Sequence, residues 1–301
     1  MAGAEVQEIH CKTLLNRIDA PGFPFRWTMN PYRGCRHACR YCYARPTHEY
    51  WGLDAGREFE QRVFAKVNAP EVLRHELRKP SWRGEPIAIG TASDPYEPAE
   101  SQYRLTRRIL EVLRDHRNPA SITTKGTLVK RDVDVLRELD LEASVQVSFS
   151  VGSIDDQVWK ETEPGAPGPM ARLEAMQFLV ENGINAGVSM APILPGVSDS
   201  PESIEAVVEA AAALGARFLS ANLLFLKPGS KEWFMPLIKE AYPHLIPGYS
   251  KIYRQTYAPR DYTSGVLRVV DEARRRWGLA TTMPVRSLPG PQMRMELALT
   301  A

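Results

Sequence analysis

The feature that most restricts this fold is an alternation: short apolar, β-branched runs are each followed by a longer stretch with helical periodicity. The runs are PIAIG (86–90), ASITT (120–124), SVQVSFSV (144–151), NAGVSMAPIL (185–194) and RFLSANLLFL (217–226). Helical stretches lie near 70–79, 100–116, 131–139, 169–183, 201–215 and 230–241. A helix after each strand returns the chain so that the next strand runs parallel to the last, which is the βαβ pattern. In 169–183, Met170, Leu173, Ala175, Met176, Leu179 and Val180 recur at three- and four-residue intervals and predict one buried stripe, with Gly183 at C′. In 201–215, Asp199 or Ser200 is the N-cap, Pro201 opens the first turn and Gly215 ends the helix. Five runs plus one strand feeding a cysteine loop make six βα units, fewer than the eight of a closed barrel. The reading is α/β: a partial (β/α)6 TIM-type barrel.

Residues 1–29 read as an extended N-terminal lead-in without a helix of its own, 30–242 as the barrel core, and 243–301 as a C-terminal extension covering the barrel. That extension holds a helix expected at 266–278 and a Pro-rich tail. A length of 301 residues is within the range that α/β barrels occupy as one unit. No fixed-period repeat is visible, which excludes a solenoid. Lys and Arg number 38 against 36 Asp and Glu, too near balance to identify a polyanion partner from net charge. No run reaches the ~18 apolar residues of a membrane span. MAGAEVQEIH lacks the basic and apolar regions of a signal peptide, so the expectation is a cytoplasmic chain with no membrane partner.

The cysteines are Cys11, Cys35, Cys39 and Cys42. The last three have the spacing C-x3-C-x2-C within Asn30-Pro31-Tyr32-Arg33-Gly34-Cys35-Arg36-His37-Ala38-Cys39-Arg40-Tyr41-Cys42-Tyr43-Ala44-Arg45. A disulfide framework would spread its cysteines along the chain, so this cluster points to metal or redox chemistry. Three thiolates from one short loop can take three corners of a cubane and leave the fourth iron open. An open iron can bind a cosubstrate and pass it an electron at low potential. Tyr41 is placed to present its ring or carbonyl to a bound nucleoside. A Cys3His zinc site recruiting His37 or His48 is the competing reading of the same spacing.

An aromatic before the third cysteine, near the start of a βα array, resembles the radical S-adenosylmethionine (SAM) superfamily. NPYRGCRHACRYCYAR, GTASDPYEPAE, ITTKGTLVKRD and EPGAPGP…RLEAMQFLVENGINAGVSMAPILPGVSD resemble its spore photoproduct lyase-related, DNA-repair-photolyase-like branch, over about residues 29 to 230. The resemblance implies a [4Fe-4S] cluster on Cys35, Cys39 and Cys42 and S-adenosyl-L-methionine as cosubstrate. It further implies a 5′-deoxyadenosyl radical that abstracts hydrogen from a substrate, and a low-potential electron donor of the flavodoxin or ferredoxin type. The end of the second strand would hold the cosubstrate's amino group, with oxygens from Thr91, Ser93 and Asp94, although the usual Gly-Gly-Glu is absent. Lys125 would pair with its carboxylate, a role carried over from spore photoproduct lyases. Ser148 and Ser150, two apart on one strand and so on one face, suit the ribose. Ala191-Pro192-Ile193-Leu194 would pack beside the adenine.

Glu163 and Arg172 flank a Pro/Gly-rich loop at the barrel mouth, where they either bind substrate or brace the loop. The tract KIYRQTYAPRDY (251–262) interleaves Tyr with Lys and Arg, as a nucleic-acid contact or a plain packing segment would. The spore photoproduct lyase reaction draws on a cysteine late in the chain, and here none follows Cys42. Tyr96 or Tyr103 would have to replace it. Three functions stay open: radical chemistry on a small molecule, peptide or nucleotide; a lyase acting on DNA photoproducts; and a non-enzymatic zinc or iron-sulfur module that binds nucleic acid.

Overall fold

The chain opens on two short strands, β1 (Glu5–Ile9) and β2 (Asn16–Arg17), and enters its main sheet at β3 (Trp27–Met29). The computed structural model describes residues 5–19 and 25–281, so the Pro-rich tail lies outside the described residues. After β3 come β4 (Tyr32–Arg33), the cysteine loop, a 3-10 helix at Arg45–Trp51, α1 (Arg57–Gln61), β5 (Arg62–Lys66) and α2 (Ala69–Leu77). Then β6 (Ile87–Ile89) leads to α3 (Glu100–Tyr103) and α4 (Leu105–Asp115), β7 (Ala120–Thr124) to α5 (Val133–Glu142), and β8 (Val145–Ser150) to α6 (Asp156–Thr162) and α7 (Pro169–Glu181). Next, β9 (Asn185–Ile193) leads to α8 (Pro201–Ala213) and β10 (Leu219–Leu223) to α9 (Ser230–Ala241). Helices α10 (Ile246–Ile252) and α11 (Arg260–Arg276) finish the described chain.

Strands β3, β6, β7, β8, β9 and β10 stand side by side, all parallel and in chain order, with β2 antiparallel on the outer edge of β3. Among the described residues β10 does not pair with β3, so the barrel is open, as six βα units require. The first barrel strand, Trp27–Met29, lies on the N-terminal side of the boundary expected at residue 30. The described part of the lead-in, residues 5–19 and 25–29, contains short strands and no helix. Its β1 pairs with β5 in a separate three-stranded sheet completed by β4. The exposed edge of β10 is covered by the chain after α11, through an Ala280 bridge to Phe218 and a bond from the Leu219 N–H to the Ala280 carbonyl (2.9 Å).

The core lies between the sheet and its helices. Along β8, Val145, Val147 and Phe149 point to the helices and are fully buried, whereas Gln146 and Ser148 on the other face are half-buried. In α7, Leu173, Ala175, Met176 and Leu179 form the expected stripe, each fully buried. Met170 does not belong to it. It sits in the first turn on the outer face, 44% exposed, and the buried position there belongs to Arg172, which the mouth of the barrel claims. Ser200 is the N-cap of α8, accepting from the Ser203 N–H at 3.1 Å.

The helix expected over 100–116 is two helices. Arg104 adopts a left-handed conformation between α3 and α4 (φ 51°), and the Glu100 carboxylate accepts from the Thr106 N–H at 2.9 Å. A carboxylate at a helix start satisfies orphan N–H groups and suits the dipole. Helix α11 begins six residues earlier than expected, at Arg260, and packs on α8 and β10 through Val266, Val270 and Ala273. Periodicity misses β5 and also α1, α6 and α10, helices of five to seven residues that are too short to show a period.

Candidate active site

The cysteine loop leaves β4 at Gly34, which has φ +78°. A Cβ there would lie 2.8 Å from the Phe59 carbonyl and 2.9 Å from that of Arg62, so only glycine lets the loop seat on the α1–β5 segment. Cys35 N–H then bonds to Phe59 O at 3.0 Å. The far side of the loop is clasped by the segment after β8. Arg40 N–H donates to Thr162 O (2.8 Å), Gly165 N–H donates to His37 O (3.1 Å), and a Cβ on Gly165 would fall 2.0 Å from Arg36 O. From beneath, the buried Arg45 donates through Nε to Cys39 O (3.0 Å), through Nη1 to Gly56 O (2.7 Å) and through Nη2 to Glu60 (2.7 Å). The Ser230 hydroxyl holds Cys42 O at 3.0 Å.

All three cysteines are free thiols. Cys35 packs with Ala44 and Phe59, and Cys39 and Cys42 with Tyr41, Leu194, Leu224, Leu226 and Phe234. Burial pushes the Cys35 thiol well up, and pushes Cys39 up to about 12 against the opposing pull of Lys125. The donor set is therefore three soft sulfurs in an apolar, water-poor niche, whose chemistry suits an iron-sulfur cluster that displaces their protons on binding. Each nearby histidine has one ring nitrogen beside a partner: His37 Nδ1 lies 3.2 Å from Asp94, and His48 Nε2 lies 3.0 Å from Arg62 O, while His48 Nδ1 is buried without a hydrogen-bond partner. Among the described residues no three His, Cys, Asp or Glu side chains gather as a single-ion site.

The loop after β6 behaves differently from expectation. Asp94 was expected to offer its oxygens to a cosubstrate. Instead they accept from Thr124 Oγ1 (2.6 Å), Lys125 N–H (2.7 Å) and Tyr96 N–H (2.8 Å), with His37 alongside. Ser93 is likewise turned inward, donating to Gly34 O at 2.6 Å. Asn30 accepts from the Ala92 N–H at 2.8 Å, so the β6 loop is fastened to the start of the cysteine loop. Thr91 is half-buried at the mouth, where its hydroxyl accepts from Asn30 Nδ2 (3.3 Å) and its carbonyl from the Tyr43 hydroxyl.

Burial alone would raise the Asp94 pKa, but His37, Lys125 N–H and Thr124 outweigh it and hold the carboxyl down at about 2. A carboxylate depressed from 3.8 stabilises the fold fully above about pH 4 and loses that contribution as pH falls toward 2. Asp94→Asn should therefore cost the metal-free protein roughly 2 kcal/mol near pH 6 and much less near pH 2. Urea denaturation at the two pH values checks this, and a pH-independent difference would refute it.

Opposite, at the ends of β7 and β8, lies a buried charge network. The Lys125 ammonium donates to Ser150 Oγ at 2.8 Å and lies 3.8 Å from Glu163. Glu163 also accepts from the Tyr41 hydroxyl and from Arg172, whose other nitrogens donate to Pro167 O (2.7 Å) and Ser150 O (2.9 Å). Burial works to lower the Lys125 pKa, yet Cys39 and Glu163 together raise it, so the side chain is a cation. Burial would raise the Glu163 carboxyl, but Arg172 and Lys125 hold it below its ordinary value. Glu163 and Arg172 thus brace the loop, one of the two roles open to them in the sequence. Ser150 passes its own hydrogen to Ala191 O (2.8 Å), and Ser148 is half-buried two residues earlier on the same face.

The structure gathers the three cysteines, Tyr41, Thr91, Lys125, Ser148 and Ser150 around one mouth. It does not bring Tyr96 or Tyr103 there. Tyr96 is buried in the main core with its ring beside Asp132 and Glu100, and Tyr103 packs on the small outer sheet near Glu8. Cys11 is tied to Asn68, outside the mouth. The residues that sequence reasoning missed are the braces: Asn30, Arg45, and Arg36 paired with the fully buried Glu97 at 3.1 Å. Their one signal was a density of charge within a loop that also had to be buried.

The family profile described as Radical SAM superfamily matches residues 29–211, the strands and loops just described. The chain belongs to the radical SAM superfamily. A relative, an uncharacterized protein of Mycobacterium tuberculosis, is 41% identical over 86% of this chain and 77% of its own length. An uncharacterized protein of Methanocaldococcus jannaschii is 31% identical over 65% of this chain and 70% of its own. Among solved structures, a double mutant of spore photoproduct lyase with bound AdoMet and dinucleoside spore photoproduct superposes with a TM-score of 0.69, covering 90% of this chain and 78% of that one. At 15% identity that likeness is one of fold.

Proposed function

We propose that this chain is a radical SAM enzyme in which Cys35, Cys39 and Cys42 hold a [4Fe-4S] cluster and Lys125, Ser148, Ser150 and Thr91 hold S-adenosylmethionine. Once bound and reduced, that pair supplies a 5′-deoxyadenosyl radical that abstracts hydrogen from a substrate. The observation that carries the reading is Lys125. It is a buried cation beside Cys39 whose acidic neighbour, Glu163, is shared with a second buried cation, Arg172. Two cations on one carboxylate leave room for another anion, and the cosubstrate's carboxylate fits that need. Ser93 and Asp94, consumed by internal bonds, act instead as positioning residues that hold the cysteine loop against the ends of β6 and β7.

The remaining work of the protein is exclusion: Leu194, Leu224 and Leu226 line the niche behind the cysteines and keep it dry. An electron donor of the flavodoxin or ferredoxin type is part of the proposal. So is a small molecule, peptide or nucleotide as substrate. Copying the spore photoproduct lyase cycle is disfavoured because no cysteine follows Cys42 and neither Tyr96 nor Tyr103 reaches the mouth. A Cys3His zinc module is disfavoured because, among the described residues, no three His, Cys, Asp or Glu side chains gather as a single-ion site. Among the described residues no helix is long and apolar enough to cross a membrane.

The test is anaerobic reconstitution with iron and sulfide, followed by dithionite and S-adenosylmethionine. Release of 5′-deoxyadenosine supports the proposal. About one zinc per chain with no iron, or no release, overturns it. Lys125→Met keeps the apolar stem and leaves Glu163 paired with Arg172. It should retain iron while weakening S-adenosylmethionine binding by roughly 10- to 100-fold, the worth of a charged hydrogen bond. Equilibrium dialysis checks this, and unchanged affinity would remove Lys125 from the site.

A further inference from the structure

The loop after β6 meets the mouth at Thr91, and both oxygens of that residue already receive a hydrogen bond. Asn30 Nδ2 donates to the Thr91 hydroxyl at 3.3 Å, and the Tyr43 hydroxyl donates to the Thr91 carbonyl. The two ends of an amide are told apart by the groups around them, and around Asn30 they leave one answer. Asn30 Oδ1 accepts from two main-chain donors, the Ala92 N–H at 2.8 Å and the Ser93 N–H at 3.3 Å. Turning the amide over would set its NH2 against two N–H groups, so Nδ2 must face Thr91 and must donate. Asn30 is buried, and its carbonyl accepts from the Lys66 ammonium at 2.8 Å, so main chain and side chain are both held.

This decides where the Thr91 proton goes. A hydroxyl oxygen that receives from Asn30 must turn its own hydrogen away from Asn30, and among the described residues no acceptor takes it. Thr91 is half-buried at the mouth, so that hydrogen is offered to whatever binds there. Its two neighbours in the loop offer nothing: the Ser93 hydroxyl donates to Gly34 O, and the Asp94 oxygens hold Thr124, Lys125 and Tyr96. Of the three side chains expected to present oxygens to an ammonium, two are taken up inside the protein and the third is set as a donor. We propose that Asn30 is a positioning residue that makes Thr91 a hydrogen-bond donor, so that Thr91 grips an acceptor atom of S-adenosylmethionine and not its ammonium. The inference deepens the radical SAM reading and rests on it, while reversing the role that the resemblance implies for Thr91.

The test measures S-adenosylmethionine binding to reconstituted full-length protein by equilibrium dialysis. Thr91→Val keeps the shape but removes the donor and should weaken binding roughly tenfold, the worth of one hydrogen bond, whereas Thr91→Ser should bind as the unaltered protein does. Asn30→Asp can still accept from Ala92 and Ser93 with one oxygen, but its second oxygen accepts the Thr91 hydroxyl and takes the donor out of the mouth. It should weaken binding about as much as Thr91→Val, with iron content unchanged. An ammonium beside Thr91 would respond with the opposite sign, because the variant adds an acceptor and a negative charge. Since both changes remove the same donor, Asn30→Asp should cost no more than about twofold in a Thr91→Val background. Tighter or unchanged binding in Asn30→Asp, losses that multiply in the double variant, or a Thr91→Ser variant as weak as Thr91→Val overturns the proposal. If Asn30→Asp loses iron, the contrast between Thr91→Val and Thr91→Ser decides alone. Unaltered protein that releases 5′-deoxyadenosine while all variants bind as it does sinks the role of Asn30 and Thr91 only, whereas absent release from unaltered protein sinks the radical reading.

Discussion

Cys39→Ala is expected to yield a folded chain that holds no four-iron cluster and releases no 5′-deoxyadenosine. Cys39 is the middle cysteine of the three. Its carbonyl is anchored by Arg45 and its thiol is buried among Tyr41, Leu194, Leu224 and Phe234. Removing one sulfur leaves the backbone bonds of the loop intact and opens only a small apolar void, costing on the order of 1 kcal/mol. Two thiolates cannot hold a cubane at three corners, so iron retention should collapse while the melting temperature of the metal-free protein shifts by no more than a few degrees. Iron and sulfide analysis with electron paramagnetic resonance of the reduced sample checks the first part, and a thermal melt checks the second. Cys39→Ser, which keeps the shape but supplies a hard oxygen, should behave like the alanine variant. Retained cleavage in either would refute the ligand assignment.

The second large effect is on stability. Glu163→Gln leaves Arg172, 1% exposed, and the buried Lys125 facing each other with no carboxylate between them, and weakens the acceptor of the Tyr41 hydroxyl. Breaking a buried pair on one side costs about 3–5 kcal/mol, because the remaining charge loses its partner without regaining water. A chain of this size should lose roughly 6–15 °C of melting temperature. The double variant Glu163→Gln with Arg172→Met removes one of the stranded cations and should recover part of the loss. Chemical denaturation of the metal-free protein measures both variants. A single-variant cost below about 0.5 kcal/mol would mean that water reaches the network and that Lys125 is not the desolvated cation described here.

How much of this was legible depended on how local each signal is. Helix α7 was readable because a stripe of apolar residues at three- and four-residue spacing needs no knowledge of the partner sheet. Met170 was misplaced within it for the opposite reason. Periodicity predicts which face is inward but not that a polar mouth lies at one end of the helix, where an arginine outranks a methionine for burial. The break at Arg104 was equally hidden, since the carboxylate that caps α4 belongs to Glu100 on the preceding helix.

In the site, the cysteines and Lys125 are proposed because each has a role expected from its residue type and its position in a loop or at a strand end. Ser93 and Asp94 sit in the same kind of position and look the same in sequence. They differ only in what surrounds them: three N–H or hydroxyl donors converge on Asp94, and Gly34 O takes the Ser93 hydroxyl.

The sequence by itself determined that six βα units would form an open parallel barrel and that three thiols would share one loop, because hydrophobic period and cysteine spacing are properties of neighbouring residues. Only the tertiary structure decided which polar groups at the mouth are still free to bind. A buried donor or acceptor must be satisfied by whatever the fold places beside it, and its partners here range from 2 positions away (Tyr96 on Asp94) to 122 (Tyr41 on Glu163). That accounting consumed Ser93 and Asp94, turned Glu163 and Arg172 into a brace, and left Lys125 short of an anion.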